Sequence, residues 1–195
     1  MRRQFDGAAL EAPLPAALIT CADGDIRNVF TAAWTGIVNT RPPIAYVSIR
    51  PTRYSYGIID KTGEFVINLT TSAMMRAVDF CGARSGRDID KFEKCRLDTI
   101  PSERVACPIL TASPVSLECR VRDKTELGSH VMFLADIVGM SVDERYIDSK
   151  GKINLEQAGL MAYAHGGYYA LGRTLGTFGC AVRKRSKKPD GRGRK

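Results

Sequence analysis

Four segments of the chain interleave cationic or hydroxyl side chains with small and aromatic ones. They are Asn28-Val29-Phe30-Thr31-Ala32-Ala33-Trp34, Arg50-Pro51-Thr52-Arg53-Tyr54-Ser55, Ser85-Gly86-Arg87-Asp88-Ile89-Asp90-Lys91-Phe92 and Gly128-Ser129-His130. Arg and Lys neutralise phosphate, Ser and Thr hydroxyls donate to its oxygens, and small residues beside Trp34 let a flat ring approach the backbone. Together they suit a phosphorylated aromatic ligand. Taken singly, Trp34 also fits a core residue, Arg50 or Lys91 a solvated charge, and His130 a structural histidine at the mouth of a hairpin. Order and spacing make the case that no single segment makes.

Other chemistries are excluded by direct reading. No Gly-x-Gly-x-x-Gly follows a strand pattern, and no Gly-x-x-x-x-Gly-Lys-Ser/Thr occurs, so neither dinucleotide nor P-loop phosphate binding is coded. There is no Gly-x-Ser-x-Gly elbow for a hydrolase. Six cysteines (Cys21, Cys81, Cys95, Cys107, Cys119, Cys180) lack any Cys-x-x-Cys spacing, and only His130 and His165 could join them, so no metal site is expected. The cysteines read as small buried hydrophobes or free thiols, with Cys81 the one whose reactivity is worth testing.

The elements that must position these residues follow from the pattern. Ala16 to Cys21 leans to strand and closes at Asp23-Gly24-Asp25, a turn signal leading into Asn28 to Thr31 as a hairpin. Ile44 to Arg50 and Glu64 to Leu69 read as strands. Thr52 to Thr62 suits a short helix from a Thr or Ser cap to a Gly63 stop. Met74, Met75, Val78 and Cys81 recur at helical spacing, predicting a helix from Thr71 or Ser72 that ends before Gly82. A very short helix is expected at Asp88 to Cys95, and a long antiparallel hairpin from Val115 to Arg122 and Val131 to Val142 around a turn at Thr125 to Ser129. Five or six strands with sparse helices predict a mainly β fold, a small closed or partly open barrel.

A chain of 195 residues with 44% hydrophobic and 26% charged residues closes one sizeable core. The net charge of +8 is local. Eight basic residues and one acid lie in 183–195, while residues 1–182 carry 21 basic and 20 acidic groups. The boundaries expected are therefore a folded domain over 1–182 and a solvated basic tail over 183–195, the tail serving solubility or a polyanion or membrane-surface contact. The body offers no specific nucleic-acid surface. No stretch approaches the roughly 20 apolar residues of a membrane span, and Met1-Arg2-Arg3-Gln4-Phe5-Asp6 is followed by no apolar signal core, so a cytoplasmic location is expected.

Over about residues 8 to 182 the sequence resembles the flavin reductase-like FMN-binding split barrels, and within them most closely flavoredoxin. The likeness is carried by Asn28-x-x-Thr31-x-x-Trp34-Thr35-Gly36, Pro42-Pro43 followed by Ile49-Arg50, Phe65-Val66-Ile67-Asn68, Ser85-Gly86-Arg87-Asp88-x-Asp90-Lys91-Phe92, Gly128-Ser129-His130 and Gly167-Tyr168-Tyr169-x-Leu171-Gly172. It departs at Ser129, where many relatives have Asp, and at Gly179-Cys180-Ala181-Val182, where Gly-Phe-Ser-Val is commoner.

The resemblance implies an antiparallel Greek-key barrel that works as a homodimer and holds FMN. It assigns side-chain contacts with FMN to Asn28, Trp34, Ser55, Lys91, His130 and Tyr163, backbone contacts to Thr31, Ala32 and Ala33, and the phosphate to Arg50, Ser55 and Lys91, with Ser85 a further donor. His130 would border the open face where NAD(P)H stacks as a transient donor. The activity implied is an NAD(P)H-dependent oxidoreductase passing electrons to a flavin, a small molecule or a protein acceptor. The alternative is a flavoredoxin-type FMN electron carrier without NAD(P)H turnover.

Overall fold

A computed structural model describes residues 1–182, so the basic tail read at 183–195 lies outside the described residues. The strands in chain order are β1 (Leu14–Pro15), β2 (Ala17–Asp23), β3 (Ile26–Ala32), β4 (Thr35–Thr40), β5 (Pro43–Ile49), β6 (Glu64–Asn68), β7 (Thr99–Ile100), β8 (Ile109–Leu110), β9 (Val115–Glu126), β10 (Val131–Val142), β11 (Met161–Ala164) and β12 (Gly167–Ala170). The helices are α1 (Tyr54–Thr62), α2 (Met75–Ala83) and α3 (Lys91–Cys95).

Seven strands form one antiparallel sheet in the order β3-β2-β6-β9-β10-β5-β4. Its two edge strands, β3 and β4, are consecutive in the chain and separated only by Ala33 and Trp34. Two residues span at most about 7 Å, so the sheet must roll until its edges meet. That corner makes it a barrel, and β3 comes against β5 there. A second sheet, β1-β11-β12, caps the α2 side, and β7 pairs with β8.

Strand β2 is buried along nearly its whole length because both its faces are covered. The two-residue period sends Ala17, Ile19 and Cys21 into the barrel interior with Phe65, Val47, Phe133 and Ile59 of α1. It sends Leu18 outward to meet Val78 and Cys81 of α2, Phe92 of α3 and Leu110. Alternation in β3 places Phe30 and Ala32 inside and Val29 under the helices. Asn68, at the end of the Phe65-Val66-Ile67-Asn68 motif, is wholly buried and fully engaged. Its amide donates to Leu18 O and Thr20 Oγ1 and accepts from Leu110 N and Ser116 Oγ. It fastens β2, β6, β8 and β9 together.

Several boundaries differ from the expectations. The residue preceding α1 is Arg53, with no side-chain cap, so the helix starts without the Thr or Ser cap expected; Gly63 ends it in the left-handed conformation at φ 68°, as read. Helix α2 follows a 3-10 turn at Ser72–Met74 and runs through Gly82 to Ala83. Gly82 lies within the helix and packs closely on β3, where an added Cβ would be tight at 3.3 Å from Thr31 Cβ, so it does not mark termination. Helix α3 begins at Lys91, since Asp90 caps it by accepting from Phe92 N and Glu93 N. The β9–β10 hairpin continues to Glu126, and β4, β11 and β12 were not anticipated as strands. Among the described residues no helix is long and apolar enough to cross a membrane.

Candidate functional site

Two adjoining cavities of about 300 Å³ and about 210 Å³ share Phe30, Arg50 and Arg53 and form one continuous groove where the sheet edges meet. The larger is lined by the N-terminal turn of α1, by Asn28 on β3, and by the Arg84–Lys91 segment between α2 and α3. The smaller is lined by Thr31, Ala32, Ala33 and Trp34 at the β3–β4 corner, by Ser48 and Ile49 of β5, and by His130 at the β9–β10 turn.

The larger cavity is built for an anion. Arg50, Arg53, Arg84, Arg87 and Lys91 line it and no carboxylate does. The α1 N-terminus adds its positive dipole end and the first-turn N–H groups of Tyr54 and Ser55, which have no intrahelical acceptor. Asn28, buried at 3% exposure, donates from Nδ2 to Ser55 Oγ at 2.7 Å and so ties β3 to α1. A Cβ on Gly86 would fall 2.1 Å from Asn28 Oδ1, so only glycine lets this loop approach Asn28.

Lys91 is also 3% exposed, and its ammonium donates to Cys81 O at 3.0 Å. Burial pushes its pKa down, opposed by the neighbouring Cys81 sulfur and reinforced by the Arg53 guanidinium. A buried ammonium has three donors to satisfy. A phosphate monoester in this cavity would accept from them and reverse the desolvation cost, so the residues present fit that group.

The smaller cavity has a different character. Trp34 is 39% exposed and therefore no core residue, and its indole lies 4.4 Å from the His130 ring, tilted by 47°. The Thr31 hydroxyl is committed to Val78 O, which leaves the backbone of the edge strand as the surface offered to a ligand. His130 Nδ1 is 2.9 Å from Ser129 Oγ. Partial burial, and then the nearby Arg50 charge, lower its pKa, so the imidazole at this rim is neutral at pH 7.

A family model, flavin reductase like domain, matches residues 10–172. The chain belongs to the flavin reductase-like family. A solved structure, flavoredoxin of Desulfovibrio vulgaris (Miyazaki F), superposes with a TM-score of 0.86 at 29% identity, covering 94% of this chain and all of that one. An uncharacterized protein of Archaeoglobus fulgidus is 32% identical over 65% of this chain and 72% of its own length. An NADPH-flavin oxidoreductase of Streptomyces viridifaciens is 25% identical over 65% of each chain. This is therefore a flavin reductase-like split barrel of a flavin-binding oxidoreductase family, as the sequence motifs implied.

In this flavin reductase-like chain, Asn28, Arg50, Ser55, Ser85 and Lys91 lie on the larger cavity, and Thr31, Ala32, Ala33, Trp34, Arg50 and His130 on the smaller. Tyr163 lies on neither. It sits on β11 in the second sheet, its ring 5.5 Å from that of Tyr168, whose hydroxyl donates to Asp79. Arg53, Arg84, Arg87 and Tyr54 were not singled out as ligand residues although the groove is lined by them. Arg53 and Arg87 stood inside the quoted motifs, whereas nothing in the sequence marked Arg84. Cys81 is buried and its thiol pKa is pushed up to about 12 by that burial, so it holds no reactive thiolate.

Proposed function

We propose that the chain is an FMN-dependent oxidoreductase that accepts hydride from NADH or NADPH and passes electrons to a flavin, a small molecule or a protein acceptor. The observation that carries this reading is the groove itself, with a carboxylate-free cationic chamber opening onto a chamber of edge-strand backbone, the exposed Trp34 ring and the half-buried His130. Lys91, Ser55 and Arg50 would hold the phosphate, with Ser85 a further donor. Asn28 keeps Ser55 in place. The Thr31 to Trp34 backbone would present N–H groups to the ring's polar edge, where negative charge develops on reduction. Bound there, FMN supplies the electron-accepting chemistry that the side chains lack.

Trp34 and neutral His130 border the open side of the smaller cavity and leave room for a flat donor ring. No dinucleotide-binding fingerprint is present, so the nicotinamide ring of a donor would be held at this rim, with modest affinity. A homodimer is part of the proposal. Tyr163 lies outside the groove of its own chain, and the flavin contact that the resemblance assigns to it would then come from a second copy.

The likeness to flavoredoxin supports a second reading, an FMN electron carrier without NAD(P)H turnover. Anaerobic addition of NADH and then NADPH to the FMN-loaded protein separates the two. Loss of the flavin absorbance within seconds supports the reductase. A spectrum unchanged until a redox partner is added contradicts it and supports the carrier.

A further inference from the structure

The cationic chamber holds more charge than one phosphate requires. Five cations line it and no acid does, whereas an FMN phosphate monoester brings about −2. A surplus of about three positive charges therefore remains once the flavin is seated. None of the five is ion-paired among the described residues. Every described salt bridge is elsewhere, at Lys61–Asp23, Arg120–Glu64, Arg122–Asp136, Lys124–Asp60 and Arg145–Asp143. Like charges left together without counter-ions oppose one another, and a ligand of opposite charge relieves that opposition.

The surplus has a side. Beyond Gly86 a neighbouring depression places Asp25, Asp88 and Asp90 near Arg87 and Lys91, so the field of those two cations is partly compensated. No carboxylate lines the Arg50, Arg53 and Arg84 side. Of these, Arg53 donates to Gly82 O, and Arg50 lies at the junction close to His130. Arg87 stacks over Tyr54 at 5.6 Å. Arg84 follows directly on α2 at the groove rim, exposed, with no side-chain hydrogen bond, ion pair or ring contact among the described residues.

We infer that Arg84, with Arg53 beside it, forms a second anion subsite that takes the additional phosphate of a phosphorylated nicotinamide dinucleotide, making NADPH the preferred donor over NADH. The inference rests on the reductase reading above and names the donor class of that same groove. NADPH carries one phosphate monoester more than NADH, about two further negative charges. A rim with unspent positive charge captures it more readily, and more so at low ionic strength.

The test uses FMN-loaded protein and two probes that cannot transfer electrons, 2′,5′-ADP and 5′-ADP, titrated by calorimetry at about 20 mM and about 200 mM salt. The expected result is roughly tenfold tighter binding of 2′,5′-ADP at low salt, narrowing at high salt, as one charge-assisted contact predicts. Arg84→Ala should remove that advantage, leaving the affinities of the two probes within about twofold of each other. Equal affinity for the two probes overturns the subsite, as does an FMN-loaded Arg84→Ala variant that keeps the wild-type preference. Preference for 2′,5′-ADP with no bleaching by either dinucleotide keeps the subsite and defeats the reductase. Equal bleaching by both donors without probe preference does the reverse.

Discussion

The two chambers of the groove are made from opposite materials. The phosphate chamber is held by buried, mutually fixed groups, with Asn28 bonded to Ser55, Gly86 pressed on Asn28, and Lys91 drawn onto the Cys81 carbonyl. The ring chamber is edge-strand backbone with an exposed Trp34 ring leaning on a half-buried His130. The difference assigns retention to the first and access to the second. Charge buried against a low-dielectric wall binds strongly and slowly exchanges, whereas an open aromatic rim admits a second flat molecule.

Lys91→Ala should break that division most severely. Loss of a charge-assisted phosphate contact is worth about 1.5 to 3 kcal/mol, roughly tenfold to over a hundredfold in FMN affinity, read by equilibrium titration. An unchanged affinity would make Lys91 structural only. Gly86→Ala comes next, because the new Cβ meets Asn28 Oδ1 at 2.1 Å and one of the two must move. Overpacking of this kind costs about 1 to 3 kcal/mol and should lower both melting temperature and FMN affinity. Wild-type behaviour would show the loop yields freely.

Trp34→Ala probes the other chamber. With the side chain 39% exposed, stability should fall by no more than about 1 kcal/mol, while loss of ring contact weakens flavin binding by roughly three- to tenfold. Unfolding of the variant would contradict its placement on the rim.

The smallest effect is a pH dependence. The folded state holds the His130 pKa below its ordinary value, through partial burial and Arg50, so the unfolded chain takes up the proton first as pH falls through that window. Stability of the flavin-free protein should therefore decline with acidification just below the ordinary imidazole pKa. His130→Gln should flatten the decline, as thermal melts across that range would show.

How much of this was legible in the sequence differs between the same two chambers. The Asp23-Gly24-Asp25 turn, the Gly63 stop and the β9–β10 hairpin are local signals, and local chemistry decided them. Strand β4 was missed because Trp34 to Val38 offers no strict alternation, although its partner β5 follows after only Arg41 and Pro42. Gly82 misled because it packs closely on Thr31 across space, where an added Cβ would be tight at 3.3 Å, and does not terminate the helix. The groove's side chains were legible as motif residues, yet Arg84 carries no motif and becomes visible only once the loop folds onto α1. Tyr163 shows the converse, a residue assigned to the flavin by the resemblance that its own chain does not bring to the groove.

The account stands on the phosphate chamber, and the most direct test is an equilibrium titration of the flavin-free protein with FMN and with riboflavin, which share the ring system and differ in the phosphate. Tight FMN binding with riboflavin weaker by about a hundredfold or more is the predicted result, since several charge-assisted contacts are lost together. Equal affinity for the two, or binding of neither, would contradict it.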